Sequence, residues 1–352
     1  MIRSGYIFAI ICSFSLSGMG SYDYIAPIRY LYPNGNYVHQ LRADDAAIVE
    51  KVTINSKVSP DSKESIARRG ILVRYPSARA TIVICHGFMC DKFDVGFVRQ
   101  LFPKGSFNFL SFDFRAHGED TKGQCCTFGR DEALDVIAAA NFVKTHPDLK
   151  KLPVMVYGFS MGAVASIEAQ AKQPDLFKAM ILDCPFDSSE NVVKKALANL
   201  KFNILGYEFE MPGRQLMEKY VFHPYVQEFV KFVLKTVGHM DAKNIQTYIY
   251  RFSPAESIKK VEVPCLFIHC KEDKRVPVDA IRSIYNGAQG PKRLWVTNGR
   301  GHYDSFFYNP EKYSRHITTF FNEVITGQLG NGPKEHVAED EDEHPAPIKA
   351  GV

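Results

Sequence analysis

Val154-Met155-Val156-Tyr157-Gly158-Phe159-Ser160-Met161-Gly162-Ala163-Val164-Ala165 decides the fold. An unbroken apolar run ends in Gly-Phe-Ser-Met-Gly and passes directly into small residues, as a buried strand does when it turns sharply into a helix. Such a turn forces the serine into strained backbone and exposes its Oγ, and the flanking glycines relieve crowding where helix and strand approach. Alone, G-x-S-x-G is weak, because a turn serine capping a helix reads the same way. Its surroundings carry the argument.

Outward from this point the chain alternates. Strands are expected at Ile48–Ile54, Ile71–Tyr75, Thr81–Cys85, Phe107–Phe112, Val154–Gly158, Ala179–Leu182, Cys265–His269 and Arg293–Thr297. Helical patterns lie between them. Asp131 and Glu132 open one that runs through Val143, on the side its dipole favours. Tyr313, Ile317, Phe320, Phe321 and Val324 form the stripe of another, started by Asn309-Pro310 and stopped by Gly327. Eight strands interleaved with helices predict an α/β protein, a mostly parallel, doubly wound sheet over residues 46–185 and 263–328.

One connection is too long for a crossover of a dozen or so residues. Residues 186–262 carry amphipathic segments at Val192–Leu205 and Tyr225–Val237, and close with Ser253-Pro254-Ala255-Glu256, a capping box with proline at the first helical position. A helical cap inserted after the sixth strand is expected. It emerges at the carboxyl ends of the strands, where such sheets bind ligands, so it reads as a lid over a substrate pocket.

The ends differ from this core. Met1-Ile2-Arg3, an apolar stretch from Tyr6 to Leu16, then Ser17, Gly18 and Gly20 have the parts of a secretory signal peptide over residues 1–20. The stretch is short of the ~20 apolar residues of a spanning helix, though an uncleaved anchor is the alternative. Ile10 and Ile11 before Cys12 speak against a lipoprotein signal, and a buried N-terminal strand is the plain rival. Residues 329–352 are rich in Gly, Pro and acids and read as a disordered tail. Cys85, Cys184, Cys265 and Cys270 lie in or beside apolar runs and read as small core residues. In an exported chain, Cys90 would pair with Cys125 or Cys126.

Composition sets outer bounds. Over 352 residues, 45% hydrophobic and 23% charged content excludes wholesale disorder, collagen and coiled coil. With 43 basic and 39 acidic residues the net charge is +4, and no basic run interleaves with aromatics, which argues against nucleic acid. No zinc-type cysteine spacing is present.

A serine needs a base, and the base an orienting acid. His302, in Asn298-Gly299-Arg300-Gly301-His302, follows the last strand; Asp273, in Lys271-Glu272-Asp273-Lys274-Arg275-Val276-Pro277, follows the one before. All three residues end strands. Glu272 and Asp183 are rival acids, His117 a rival base. The oxyanion needs two donors: the Met161 N–H at the helix start, and one from the loop His86-Gly87-Phe88, assigned to Phe88 with Met89 as fallback. His86 reads as a loop-shaping residue.

With these marks together, over about Ala80 to Glu323, the chain resembles the α/β-hydrolase superfamily, most closely the branch of serine aminopeptidase-like and lysophospholipase-like hydrolases. His86-Gly87-Phe88, Asp113-x-Arg-x-His-Gly, Gly-Phe-Ser-Met-Gly, Asp273-x-x-Val-Pro and Gly301-His302 carry the resemblance. It implies Ser160 as nucleophile, His302 as base, Asp273 as acid, Phe88 and Met161 as oxyanion hole, and neither metal nor organic cofactor. Cys270, where relatives commonly have glycine, and Cys125-Cys126 are departures that could reshape an acyl pocket. The expected function is hydrolysis of carboxylic esters through an acyl-enzyme. Aminopeptidase action, with Glu208, Glu210 or Glu218 holding an amine, and thioesterase action on acylated proteins follow. A silent hydrolase fold serving as a binding protein is the reading from another class. Small esters, acyl groups or peptides are the expected partners; the apolar cap admits lipid proximity, and location is secreted or periplasmic.

Overall fold

The computed structural model describes residues 46–199, 201–204, 207–210, 214–227, 246–302, 304–331 and 335–340. Eight predicted strands form: β1 (Ile48–Lys57), β2 (Ser65–Arg74), β3 (Thr81–Cys85), β4 (Asn108–Phe112), β5 (Val154–Phe159), β6 (Met180–Asp183), β9 (Cys265–Cys270) and β10 (Lys292–Thr297). They join a ninth, β11 (Glu335–Glu339), in the order β1-β2-β4-β3-β5-β6-β9-β10-β11. The β1–β2 and β2–β4 pairs are antiparallel, and every other pair in the sheet is parallel.

The central parallel strands β3, β5 and β6 are largely apolar because both faces are covered. Val83, Val156 and Leu182 pack on one side with Ala133 and Val136 of α1 (Glu132–Thr145), Ala163 and Ile167 of α2 (Met161–Lys172), and Ile281 and Ile284 of α6 (Val278–Gly287). Ile82, Tyr157 and Ile181 face the other way, onto the predicted stripe Tyr313, Ile317, Phe320, Phe321 and Val324 of α8 (Pro310–Thr326), which follows the short α7 (Asp304–Tyr308). Asn309 caps α8 by accepting the Lys312 N–H at 3.0 Å, and Gly327 ends it at φ 72°.

The chain does not become disordered at residue 329. A 3-10 turn (Gln328–Asn331) leads into β11, parallel to β10. The reason is side-chain anchoring that composition hides. Asp340 accepts the Trp295 Nε1–H at 3.0 Å and pairs with Lys312, while Glu339 pairs with Arg282. Residues beyond Asp340, and the N-terminal segment 1–20, lie outside the described residues.

The insertion after β6 is not purely helical. α3 (Ser189–Asn199) is followed by an antiparallel pair, β7 (Lys201–Ile204) and β8 (Tyr207–Glu210), then α4 (Arg214–Tyr220). Phe202/Ile204 and Tyr207/Phe209 alternate with polar residues, the period of a strand rather than a helix. Of Tyr225–Val237, residues after Gln227 lie outside the description. The short α5 (Pro254–Ser257) begins with proline as expected, but Ser253 makes no capping bond; its hydroxyl donates to the Asp187 carbonyl at 3.1 Å.

Candidate active site

Ser160 sits between β5 and α2 at φ 44°, ψ −109°, a region that costs a non-glycine residue about 1–3 kcal/mol. Neighbours hold it there. Its N–H donates to the Asp183 carbonyl at 2.8 Å, and its carbonyl accepts the Val164 N–H at 2.9 Å. The glycines are obligatory. A Cβ on Gly162 would lie 2.2 Å from the Cys85 carbonyl oxygen and 2.5 Å from that of His86, and one on Gly158 would lie 2.6 Å from the Ala163 Cα. The same close approach sets the loop after β3 against the first turn of α2.

Ser160, His302 and Asp273 are brought together from three strand ends. His302 Nε2 lies 2.9 Å from Ser160 Oγ, and His302 Nδ1 lies 2.6 Å from Asp273 Oδ2. The other oxygen of Asp273 accepts the N–H groups of Arg275 at 2.8 Å and Val276 at 3.0 Å. Burial pushes this carboxyl upward, but the facing imidazole and its hydrogen bond, His269 and the Val276 N–H outweigh it, so it lies below the usual aspartate value. Asp273 therefore stays an anion, a pure acceptor that fixes the proton on Nδ1 and leaves Nε2 to accept.

The rivals fall into other roles. Glu272 is exposed. His117 uses both nitrogens on backbone: Nδ1 donates to the Arg115 carbonyl at 2.9 Å, and Nε2 accepts the Met89 N–H at 3.2 Å. Met89 is thereby removed as an oxyanion donor. His86 likewise donates from Nδ1 to the Gly87 carbonyl at 2.7 Å and accepts the Phe114 N–H on Nε2 at 3.0 Å. Burial lowers both histidines' pKa values, His86's well below the ordinary one, so both brace the loop as neutral rings. The Phe88 N–H meets no acceptor among the described residues, and the Met161 N–H lies in the first turn of α2, where helical partners are lacking.

Asp183 is not the acid of this triplet. Tyr313 donates to its Oδ2 at 2.5 Å, Tyr157 meets Tyr313, and the Cys184 thiol donates to its Oδ1 at 3.1 Å. Burial raises its pKa to about 6 against the lowering effect of those bonds. This Asp–Tyr–Tyr chain went unforeseen. Its signal was two tyrosines inside otherwise apolar faces, whose hydroxyls need partners. Glu132 stands in the first turn of α1 as expected, and it is also buried, where it gathers Thr127 and Gly129 N–H groups and the Thr127 hydroxyl at 2.7–2.8 Å. No disulfide joins Cys90 to Cys125 or Cys126: the Cys126 thiol is buried, 3.5 Å from the Met161 sulfur. Cys270 packs toward Ser305, its Sγ 3.1 Å from that hydroxyl.

A cleft of about 440 Å³ opens between α3 and the segment joining β9 to α6, with Phe186, Val192 and Val276 among its apolar lining and Asp187, Lys194, Lys195, Glu218, Arg275 and Asp279 as charged lining; none of Ser160, Asp273 and His302 lines it. Glu218 is the one proposed amine-holding acid whose side chain is described.

The family described as serine aminopeptidase, S33 matches residues 76–303. The chain belongs to that family of α/β-hydrolases. It is 28% identical over 245 residues to the uncharacterized protein YqkD of Bacillus subtilis, covering 69% of this chain and 72% of the relative. It is 22% identical to a putative esterase/lipase 2 of Mycoplasma pneumoniae, over 72% of this chain and 83% of that one. In fold it is similar to the Pyrococcus furiosus esterase PF2001, with a TM-score of 0.57 at 19% identity over 81% of this chain and 93% of the other. The peroxisomal α/β-hydrolase Lpx1 of Saccharomyces cerevisiae gives 0.55 at 16%, over 82% and 92%. The α/β-hydrolase architecture expected from the sequence is thus the one present, and the chain is a hydrolase.

Proposed function

We propose that this hydrolase cleaves carboxylic esters through an acyl-enzyme on Ser160. The observation that carries the proposal is the continuous relay Ser160 Oγ, His302, Asp273 at 2.9 and 2.6 Å. In this reading His302 Nε2 takes the hydroxyl proton as Oγ attacks the carbonyl carbon. The N–H groups of Phe88 and Met161 receive the negative oxygen. The imidazolium, stabilised by anionic Asp273, then protonates the leaving alcohol. Water repeats the sequence from the other side and releases the acid.

Esters come first because an alkoxide leaves more readily than an amine. The relatives named esterases agree with this. Release of N-terminal residues is the second reading, supported by the family's description as serine aminopeptidase. A panel of p-nitrophenyl esters of graded chain length beside aminoacyl-p-nitroanilides separates the two. Turnover of esters alone supports the first, turnover of anilides the second. A chain that hydrolyses neither and takes no fluorophosphonate label is a binding protein on a hydrolase fold. Export is proposed from the N-terminal segment, and N-terminal sequencing of the mature chain tests it: a start near Ser21 supports cleavage and an intact Met1 refutes it.

A further inference from the structure

The thiol of Cys184 lies where the proposed mechanism has no use for it. Cys184 follows β6 directly, is fully buried, and is held at φ 52°, in the left-handed region a non-glycine residue rarely takes. Its N–H is anchored to the Ile268 carbonyl at 2.9 Å, which ties it to the neighbouring strand that ends in Asp273's loop. Its sulfur, one nitrogen of His302 and one carboxylate oxygen of Asp273 all lie within 4.8 Å of one another. The Cys270 thiol borders the same point and interacts with that of Cys184.

Thiolate, imidazole and carboxylate together are the donor set of zinc rather than of magnesium or calcium, which take oxygen. With bonds of about 2.0–2.3 Å, tetrahedral zinc places its donors ~3.3–3.8 Å apart, so an edge of 4.8 Å closes by about 1–1.5 Å, while the 2.6 Å contact of His302 Nδ1 with Asp273 Oδ2 opens if Nδ1 is the ligand. The support that ligands require is already built: the second oxygen of Asp273 is fixed by two backbone N–H groups.

We propose that Cys184, His302 and Asp273 form an inhibitory site for zinc or a similarly thiophilic divalent ion, which turns the hydrolase off by taking its base. The proposal rests on the reading of His302 as that base. On binding, the Cys184 thiol loses its proton to solvent. With the metal on Nδ1, the ring proton moves to Nε2, and Nε2 no longer accepts from Ser160. With the metal on Nε2, the lone pair itself is occupied. Either arrangement leaves a neutral imidazole with no free lone pair.

The test uses the full chain hydrolysing p-nitrophenyl butyrate at saturating substrate. Zinc is expected to lower the rate, magnesium to leave it unchanged, and a chelator to restore it. Cys184→Ala is expected to raise the zinc concentration for half-inhibition roughly 10–100-fold relative to its own metal-free rate. Cys265→Ala, at the opposite end of β9, retains wild-type sensitivity. Cys184→Ser serves if the alanine variant fails to fold. Cobalt added to the wild-type chain should give a thiolate-to-metal charge-transfer band, which needs neither a variant nor activity. Equal zinc sensitivity of wild type and both Cys184 variants, or cobalt binding without the thiolate band, overturns the proposal. So does inhibition that a thiol reductant reverses and a chelator does not, which would mark oxidation instead. A chain that lacks esterase activity but shows the band keeps the metal site and loses the proposed function.

Discussion

Two buried aspartates end neighbouring strands, and the contrast between their surroundings explains how the site is organised. Asp273, after β9, is met by two backbone N–H groups and an imidazole; Asp183, at the end of β6, is met by a phenol and a thiol. Both are almost completely buried, 6% and 1% exposed, so burial cannot separate them. Yet one carboxyl lies below its ordinary pKa and the other is pushed up to about 6. Donors that carry or readily accept positive charge hold the first as an anion. Weak neutral donors fail to offset desolvation in the second. In the proposed mechanism the region of β9 orients the base; that of β6 holds backbone, since it is the Asp183 carbonyl that fixes the strained Ser160.

The largest expected effects test whether this division of labour holds. Ser160→Ala should lose roughly three orders of magnitude or more in kcat/KM and all fluorophosphonate labelling. Equal rates for the two proteins would sink the ester-hydrolase reading. Asp273→Asn keeps the shape but can donate to His302, favouring the wrong tautomer, and a fall of about 10³–10⁴ in kcat is expected. Asp183→Asn should cost less than about tenfold, because its side chain touches no member of the relay. If the two asparagine variants lose activity alike, the acid has been assigned to the wrong strand.

Much of this was readable beforehand, for a specific reason. Strand positions followed from continuous apolar runs, and α8 from one stripe with a cap at each end, so local pattern and tertiary burial agreed. Ser160, Asp273 and His302 were visible because each follows a strand and each sits in a short glycine- or proline-bearing loop. What escaped depends on contacts distant in sequence. Asp183 meets Tyr313 130 positions away, and β11 is held by Arg282, Trp295 and Lys312, so an acidic, Gly-rich stretch looked like a solvated tail. The β7–β8 pair escaped because a short alternation inside an amphipathic window fits either period.

An intermediate effect concerns stability against pH. An aspartate at about 6 in the folded chain and near 3.9 unfolded holds its proton in the native state while the unfolded chain ionises. Native stability attributable to Asp183 therefore declines as pH rises from about 4 to 6 and stays reduced above that, by roughly 3 kcal/mol. Asp273 runs the opposite way: its lowered value adds stability above the unfolded pKa that is lost as pH falls through the folded one. Melting temperatures of Asp183→Asn and wild type, measured from pH 4 to 8, should diverge in the variant's favour between pH 4 and 6 and then run parallel. A constant offset across the range would mean that Asp183 is ionised throughout and that the contrast with Asp273 is not one of charge.

The smallest effect distinguishes the sheet's centre from its edge. β11 pairs with only one strand, and its hold on the body runs through Asp340, which accepts from Trp295 and pairs with Lys312. Lys312 is 40% exposed at its side chain, so solvent screens that ion pair and its share is small. The indole hydrogen bond is better shielded and contributes about 1 kcal/mol. Asp340→Ala should therefore lower the melting temperature by about 2 °C while leaving ester turnover intact, since three strands, β6, β9 and β10, separate β11 from β5 and its serine turn. A loss of turnover with an unchanged melting temperature would show instead that the last strand communicates with His302 through β10, whose carboxyl end leads to that residue.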